Sequence, residues 1–135
     1  GNERRVVNVA AGVNNTDAVN LGQMQAADAA VLTAANHYTD VQITNLNNAI
    51  QNQFMQTDKR ISRISSMSTA MSMMTASAAG IQSPNRLAVG YGHQGGENAV
   101  SIGYQRLIKS NVTFTIGGSF TNGESTWGAG LGMGW

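Results

Sequence analysis

Between residues 80 and 135 large apolar and small residues alternate with a period of two, as in a β-strand whose faces meet different surroundings. In the last segment Trp127, Ala129, Leu131, Met133 and Trp135 alternate with Gly128, Gly130, Gly132 and Gly134. Three earlier runs repeat the split. Leu87, Val89 and Tyr91 oppose Ala88, Gly90 and Gly92, while Val100, Ile102 and Tyr104 oppose Ala99, Ser101 and Gly103. Val112, Phe114, Ile116 and Phe120 oppose Thr113, Thr115, Gly117 and Ser119. Turn residues separate the runs at Gly95-Gly96, Leu107–Ser110 and Asn122-Gly123. The pattern predicts four strands of about 9–11 residues, long enough to cross a bilayer at a tilt.

The two faces are those of neither sheet in a soluble sandwich, which would turn large residues inward and polar ones out. The large face carries almost no charge; Arg106, near a strand end, is the exception and can snorkel to an interface. It suits lipid, where a charge at mid-depth costs roughly 2–4 kcal/mol. The Gly, Ala, Ser and Thr face suits close approach of something bulky. The bulky object at hand is the segment just before the strands.

That segment has a different period. From about residue 18 to 79 there is no Pro and no Gly except Gly22, and apolar residues recur in steps of three and four. Asp17, or Thr16 before it, is the expected N-cap; Gly80 and Pro84 end the helix. The apolar stripe is narrow, which fits a coiled-coil seam better than a helix on a globular core. Ile43, Leu46, Ile50, Ile64, Met67, Met71 and Met74 form that seam. Gln53 and Arg60 fit it poorly, and an extra step at Phe54 gives a second register through Ile61 and Ile64. Both registers stay open.

Geometry then demands several chains. Four strands cannot close a barrel, and an open edge in lipid leaves backbone groups unpaired. Two chains give about eight strands, whose interior holds only side chains. Three give about twelve and room for a helix from each, with symmetry matched by a three-stranded coiled coil. The expected fold is therefore an α+β membrane protein: a trimeric coiled coil leading into a 12-stranded transmembrane β-barrel, four strands per chain, with helices in the lumen.

Composition supports a membrane part and excludes other functions. Only 11% of residues are charged, against about 25% in soluble domains. Hydrophobic residues reach only 41%, so small and amide residues fill the gap. The net charge of +1 gives no footprint for nucleic acid; Arg4-Arg5 and Lys59-Arg60 with Arg63 are too small for one. With no cysteine, disulfides and thiolate metal sites are excluded. Neither a signal peptide nor an apolar run of about 18 residues is present, so the chain reads as a piece of something longer. Gly90 to Gly95 spells G-x-G-x-x-G, but a dinucleotide site needs a helix there and a strand follows. Met67, Met71, Met73 and Met74 invite a soft-metal reading, yet three fall at packing spacing. His37 and His93 have no acid or serine placed to serve them. No cofactor, catalytic residue or metal ligand is expected, and the chain is not expected to be an enzyme.

Three motifs, in order, resemble one family. Val9-Ala10-Ala11-Gly12 with Asp17-Ala18-Val19-Asn20-Leu21-Gly22-Gln23-Met24 looks like the neck motif of trimeric autotransporter adhesins, and Tyr38-Thr39-Asp40 is similar to their stalks. Leu87–Gly92, Asn98–Tyr104 and the final Gly132-Met133-Gly134-Trp135 resemble the YadA-like anchor domain. The resemblance implies a neck over 1–20, a coiled-coil stalk and lumen helix over 21–79, and a four-stranded barrel anchor over 80–135. It implies a homotrimer in the Gram-negative outer membrane, stalk exposed at the cell surface, that exports an N-terminal passenger and then holds it there (type V secretion). Partners would be outer-membrane lipid, the barrel-assembly machinery reading Trp135, and a host surface ligand bound through the absent passenger. Thr75, Ala76, Ser77, Ala78, Ala79 and Gly80 match a flexible export segment, and Gly90 a lumen-facing glycine. A soluble trimeric fibre module, coiled coil joined to intertwined β-structure, is the alternative.

Overall fold

The computed structural model describes residues 1–135, with one helix, α1 (Leu21–Ala79), and four strands, β1 (Asn85–Gln94), β2 (Glu97–Lys109), β3 (Val112–Thr121) and β4 (Glu124–Met133). The chain divides into two compact units, Gly1–Gln51 and Asn52–Trp135.

In the first unit residues 1–20 form neither helix nor strand. The Asp17 carboxylate accepts the backbone N–H groups of Val13 and Asn14, each at 2.8 Å. These bonds to Asn14 and Val13 favour the ionised form and hold the carboxyl below its ordinary range. Asp17 thus closes a turn and does not cap the helix, contrary to the sequence expectation. Asn20 is the cap: its Oδ1 accepts the Gln23 N–H at 3.0 Å, while Gln23 Oε1 accepts the Asn20 N–H at 3.4 Å. The Gln23 amide also grips Gly12, accepting from its N–H and donating to its carbonyl, both at 2.9 Å. Spending Asp17 on the turn moves the helix start to Leu21.

In the second unit the strands form one antiparallel sheet in the order β1-β2-β3-β4. Gly95 and Gly96, at φ 55° and 83°, make the tight turn between β1 and β2 that only a left-handed backbone allows. The turn after β2 lies at Ser110-Asn111, later than the expected Leu107–Ser110. Pairing continues past Tyr104 to Lys109 through an irregularity between Leu107 and Lys109, which absorbs one residue and extends the strand. The helix ends without a left-handed glycine: Gly80 has ordinary φ, and Ile81 N–H donates to the Ala78 carbonyl at 3.3 Å, tightening the last turn. No helix is long and apolar enough to cross a membrane.

Candidate functional site

The register keeps one face of the sheet small and the other large across all four strands, except at Gly118, a buried glycine that lies between Ile102 and Trp127 on the large face. Gly90 pairs with Ser101, Gly103 with Gly117, and Gly117 with Gly128 on one face; Val89 pairs with Ile102, Tyr104 with Ile116, and Phe114 with Leu131 on the other.

The small face receives the C-terminal part of α1. Ser66, Met67, Ala70, Met74 and Ala78 turn toward the sheet and are buried. Ala70 and Met67 pack on Ala99, and Met74 and Ala78 on Ala88, with Met71 at the margin. The approach is backbone to backbone: a β-carbon on Gly90 would collide with the Ala70 carbonyl and lie 2.6 Å from Met74 N. One on Gly92 would collide with the Ser66 carbonyl. Glycine is the residue that fits at both. Ser101 Oγ donates to the Ala70 carbonyl at 2.6 Å, and Ser66 Oγ to the Glu97 carbonyl at 2.9 Å. No buried side-chain polar atom is left without a partner.

The chain's own helix covers only part of this face. Ala88, Gly90, Gly92, Ala99, Ser101, Gly103 and Ser119 are buried; Thr113, Thr115, Gly117 and Gly128 are half-buried; Gly130, Gly132 and Gly134 are exposed. A β-carbon on Gly128, Gly130, Gly132 or Gly134 would meet nothing within 4 Å. Within one chain the packed part of the helix reaches β1, β2 and the near edge of β3, and only Arg60 extends to β4, at Glu124.

The large face is bare. Leu87, Val89, Tyr91, Val100, Ile102, Phe120, Leu131 and Met133 lie open, from Ile116 at 43% exposure to Trp127 at 81%. Ala129 and Trp135 are exposed too, while Tyr104, Val112 and Phe114 are half-buried. Large apolar residues outside and serine, alanine and glycine inside invert the arrangement of a soluble sheet.

The expected seam divides in two. Ile43, Leu46, Ile50 and Ile64 are exposed. Met67 and Met74, at 5% and 2% exposure, are covered by the chain's own strands.

Three polar arrangements lie outside what the sequence predicts. Arg63 Nε lies 3.0 Å from Glu97 Oε2 and Arg60 Nε 3.3 Å from Glu124 Oε1. Toward the opposite end of the sheet Arg86 Nη1 donates to Gln105 Oε1 at 2.7 Å, and Gln105 Nε2 to Thr115 Oγ1 at 3.0 Å. The signal for the first was present: a glutamate directly follows the turn glycine in both Gly95-Gly96-Glu97 and Asn122-Gly123-Glu124. On the exposed face Tyr91 Oη donates to Asn98 Oδ1 at 2.7 Å, and His93 Nδ1 lies 2.8 Å from the same oxygen. No cluster of three His, Cys, Asp or Glu side chains is placed to hold a metal ion.

Comparison with protein families agrees with this geometry. Residues 5–64 match the coiled stalk of trimeric autotransporter adhesins, and residues 77–135 match the YadA-like membrane anchor domain. Neither is an enzyme family, and nothing favours the soluble-fibre alternative. The chain belongs to the trimeric autotransporter adhesins: it is the outer-membrane anchor and translocator of such an adhesin, giving four strands to a trimeric barrel, joined to a stretch of its coiled stalk.

Proposed function

We propose that the exposed large face meets outer-membrane hydrocarbon and that the small face lines a lumen filled by three helices, one from each chain. The observation that carries this is the inversion itself: fully buried Ser101 and Ser119 on one face, and Leu131 and Trp127 at 68% and 81% exposure on the other. A contiguous apolar surface of this kind marks contact with lipid or protein. The glycines of β4, uncovered within one chain, would be covered by a helix of the neighbouring chain.

In this reading the lumen is the route by which the passenger leaves, and the helix is what remains in it afterwards. The small residues Thr75–Gly80 supply little side chain to resist a hairpin during passage. Trp135, fully exposed beyond β4, is free to be read by the barrel-assembly machinery. The stalk stands outside the cell, and any host ligand is met by a passenger N-terminal to it. Extraction tests the whole: the chain should require detergent, run as a trimer that heat dissociates, and expose an N-terminal tag on intact cells. A water-soluble trimer, or a tag shielded inside the cell, would contradict it.

A further inference from the structure

We propose that Arg60 and Arg63 are positioning residues: by pairing with Glu124 and Glu97 they stop the helix at one depth and one rotation inside the barrel. The proposal rests on the chain being an outer-membrane anchor, and it concerns what ends outward travel once the passenger has left.

Charge is distributed for this purpose. From Ile64 to Asn85 there is no Asp, Glu, Lys or Arg, so the part of the helix against the sheet is neutral. The last charged residue before that stretch is Arg63, with Arg60 one turn earlier. On the sheet, Glu97 and Glu124 open β2 and β4, directly after the two hairpin turns at the same end. Both belong to the small face, by register with Ala99 and Ser101 and with Thr126 and Gly128. The turn at the other end, Ser110-Asn111, has no acid. Each arginine therefore meets the tip of a different hairpin, the first joining β1 to β2 and the second β3 to β4. Two separate attachment points fix rotation as well as depth.

Packing on β1 alone discriminates depth poorly, although a slide would displace Met74 from its seat against Gly103 and Gly117 on β2 and β3. Ser66, Ala70 and Ala78 recur at four-residue spacing, interrupted only by Met74, so a slide of one helical turn offers the glycines of β1 a similar small surface. The charges respond differently. A slide of about 5.4 Å inward would carry Arg63 to the level of Met67, against Ala99 and away from Glu97. A slide outward would leave both glutamates facing neutral residues. Either breaks both pairs; the inward one brings Lys59 level with Glu97, but leaves Glu124 opposite Gln56 and places Arg63 unpaired in the small-residue interior, which is strongly unfavourable. The two pairs differ in exposure: Arg63–Glu97 has side chains at 25% and 17%, Arg60–Glu124 at 72% and 26%. Arg63 is the stronger stop, reinforced by the Ser66 hydroxyl on the Glu97 carbonyl.

The test uses the full chain in its membrane. The native sequence lacks cysteine, so Ala70→Cys with Ala99→Cys gives a unique disulfide whose yield reports the register of helix on sheet. In that background Arg63→Glu and Glu97→Arg, each alone, should lower disulfide yield roughly two- to fivefold, and the exchange of both should restore it toward the parent. Arg63→Met repeats the test without repulsion and should give a smaller loss of the same sign. Single variants at parental yield, or an exchange as poor as the singles, would overturn the proposal while a normally inserted parent leaves the anchor intact. A parent chain absent from the membrane fraction would overturn the anchor reading, and the proposal with it.

Discussion

Ser101 on β2 donates its hydroxyl to the Ala70 carbonyl of α1 at 2.6 Å, so a strand serine bonds to a helix backbone with no larger side chain between them. That closeness is possible because Gly90, its partner on β1, has no β-carbon to occupy the same space. Replacing Ser101 by Ala should cost about 1 kcal/mol per chain, since the Ala70 carbonyl keeps its helical partner. Ser101→Val should cost more through overpacking, about 1–3 kcal/mol. The temperature at which the trimer dissociates on a gel reads both, and equal effects would argue against tight helix–strand contact.

The glycines should rank by what surrounds them. Gly90→Ala and Gly92→Ala push a methyl into helix backbone and should abolish the heat-resistant trimer. Gly103→Ala meets the end of the Met74 side chain, which can swing aside, and should be milder. Gly130→Ala meets nothing within its own chain, whereas Gly130→Trp should block assembly by occupying the place of a neighbour's helix. Heat resistance lost equally at Gly90 and Gly103 would contradict this ranking.

Much of this was legible because strand periodicity is local: each residue's face follows from its neighbours two positions away, and Gly95-Gly96 and Asn122-Gly123 mark their turns directly. What the sequence did not disclose depends on rotation and on distant partners. That Met67 and Met74 meet the chain's own strands depends on Ala99 and Ala88, residues distant along the chain. Arg63 and Glu97 lie 34 residues apart, and their pairing appears only once the helix lies on the sheet. Asp17 and Asn20 are both good caps by residue type, and only the turn at Val13 and Asn14 claims the former.

The neck unit should depend on pH through Asp17. Its folded-state pKa is depressed, so the stabilisation is present above the ordinary aspartate range and is lost as pH falls through the folded value. In a trimeric stalk fragment the protection of the Val13 and Asn14 amides against exchange, relative to the intrinsic rate at each pH, should fall in that acidic window. Asp17→Asn should show fast exchange already at neutral pH. Protection independent of pH in the native chain would remove Asp17 from the turn.

Deleting Trp135 should separate assembly from stability. The side chain touches nothing in its own chain, so the trimers that do form should dissociate at the parental temperature. Membrane yield should fall severalfold if the residue acts as a targeting signal. A lower dissociation temperature at unchanged yield would mean that it holds the barrel together instead.

The most direct test is a spin-label scan of β3 in lipid, one cysteine at a time, comparing collision with oxygen and with a water-soluble nickel chelate. Val112, Phe114, Ile116 and Phe120 should be open to oxygen, and Thr113, Thr115 and Ser119 shielded from it, alternating with every residue. Oxygen access at the threonines and Ser119, or no alternation at all, would contradict a sheet that turns its large side chains to lipid and its small ones to helices.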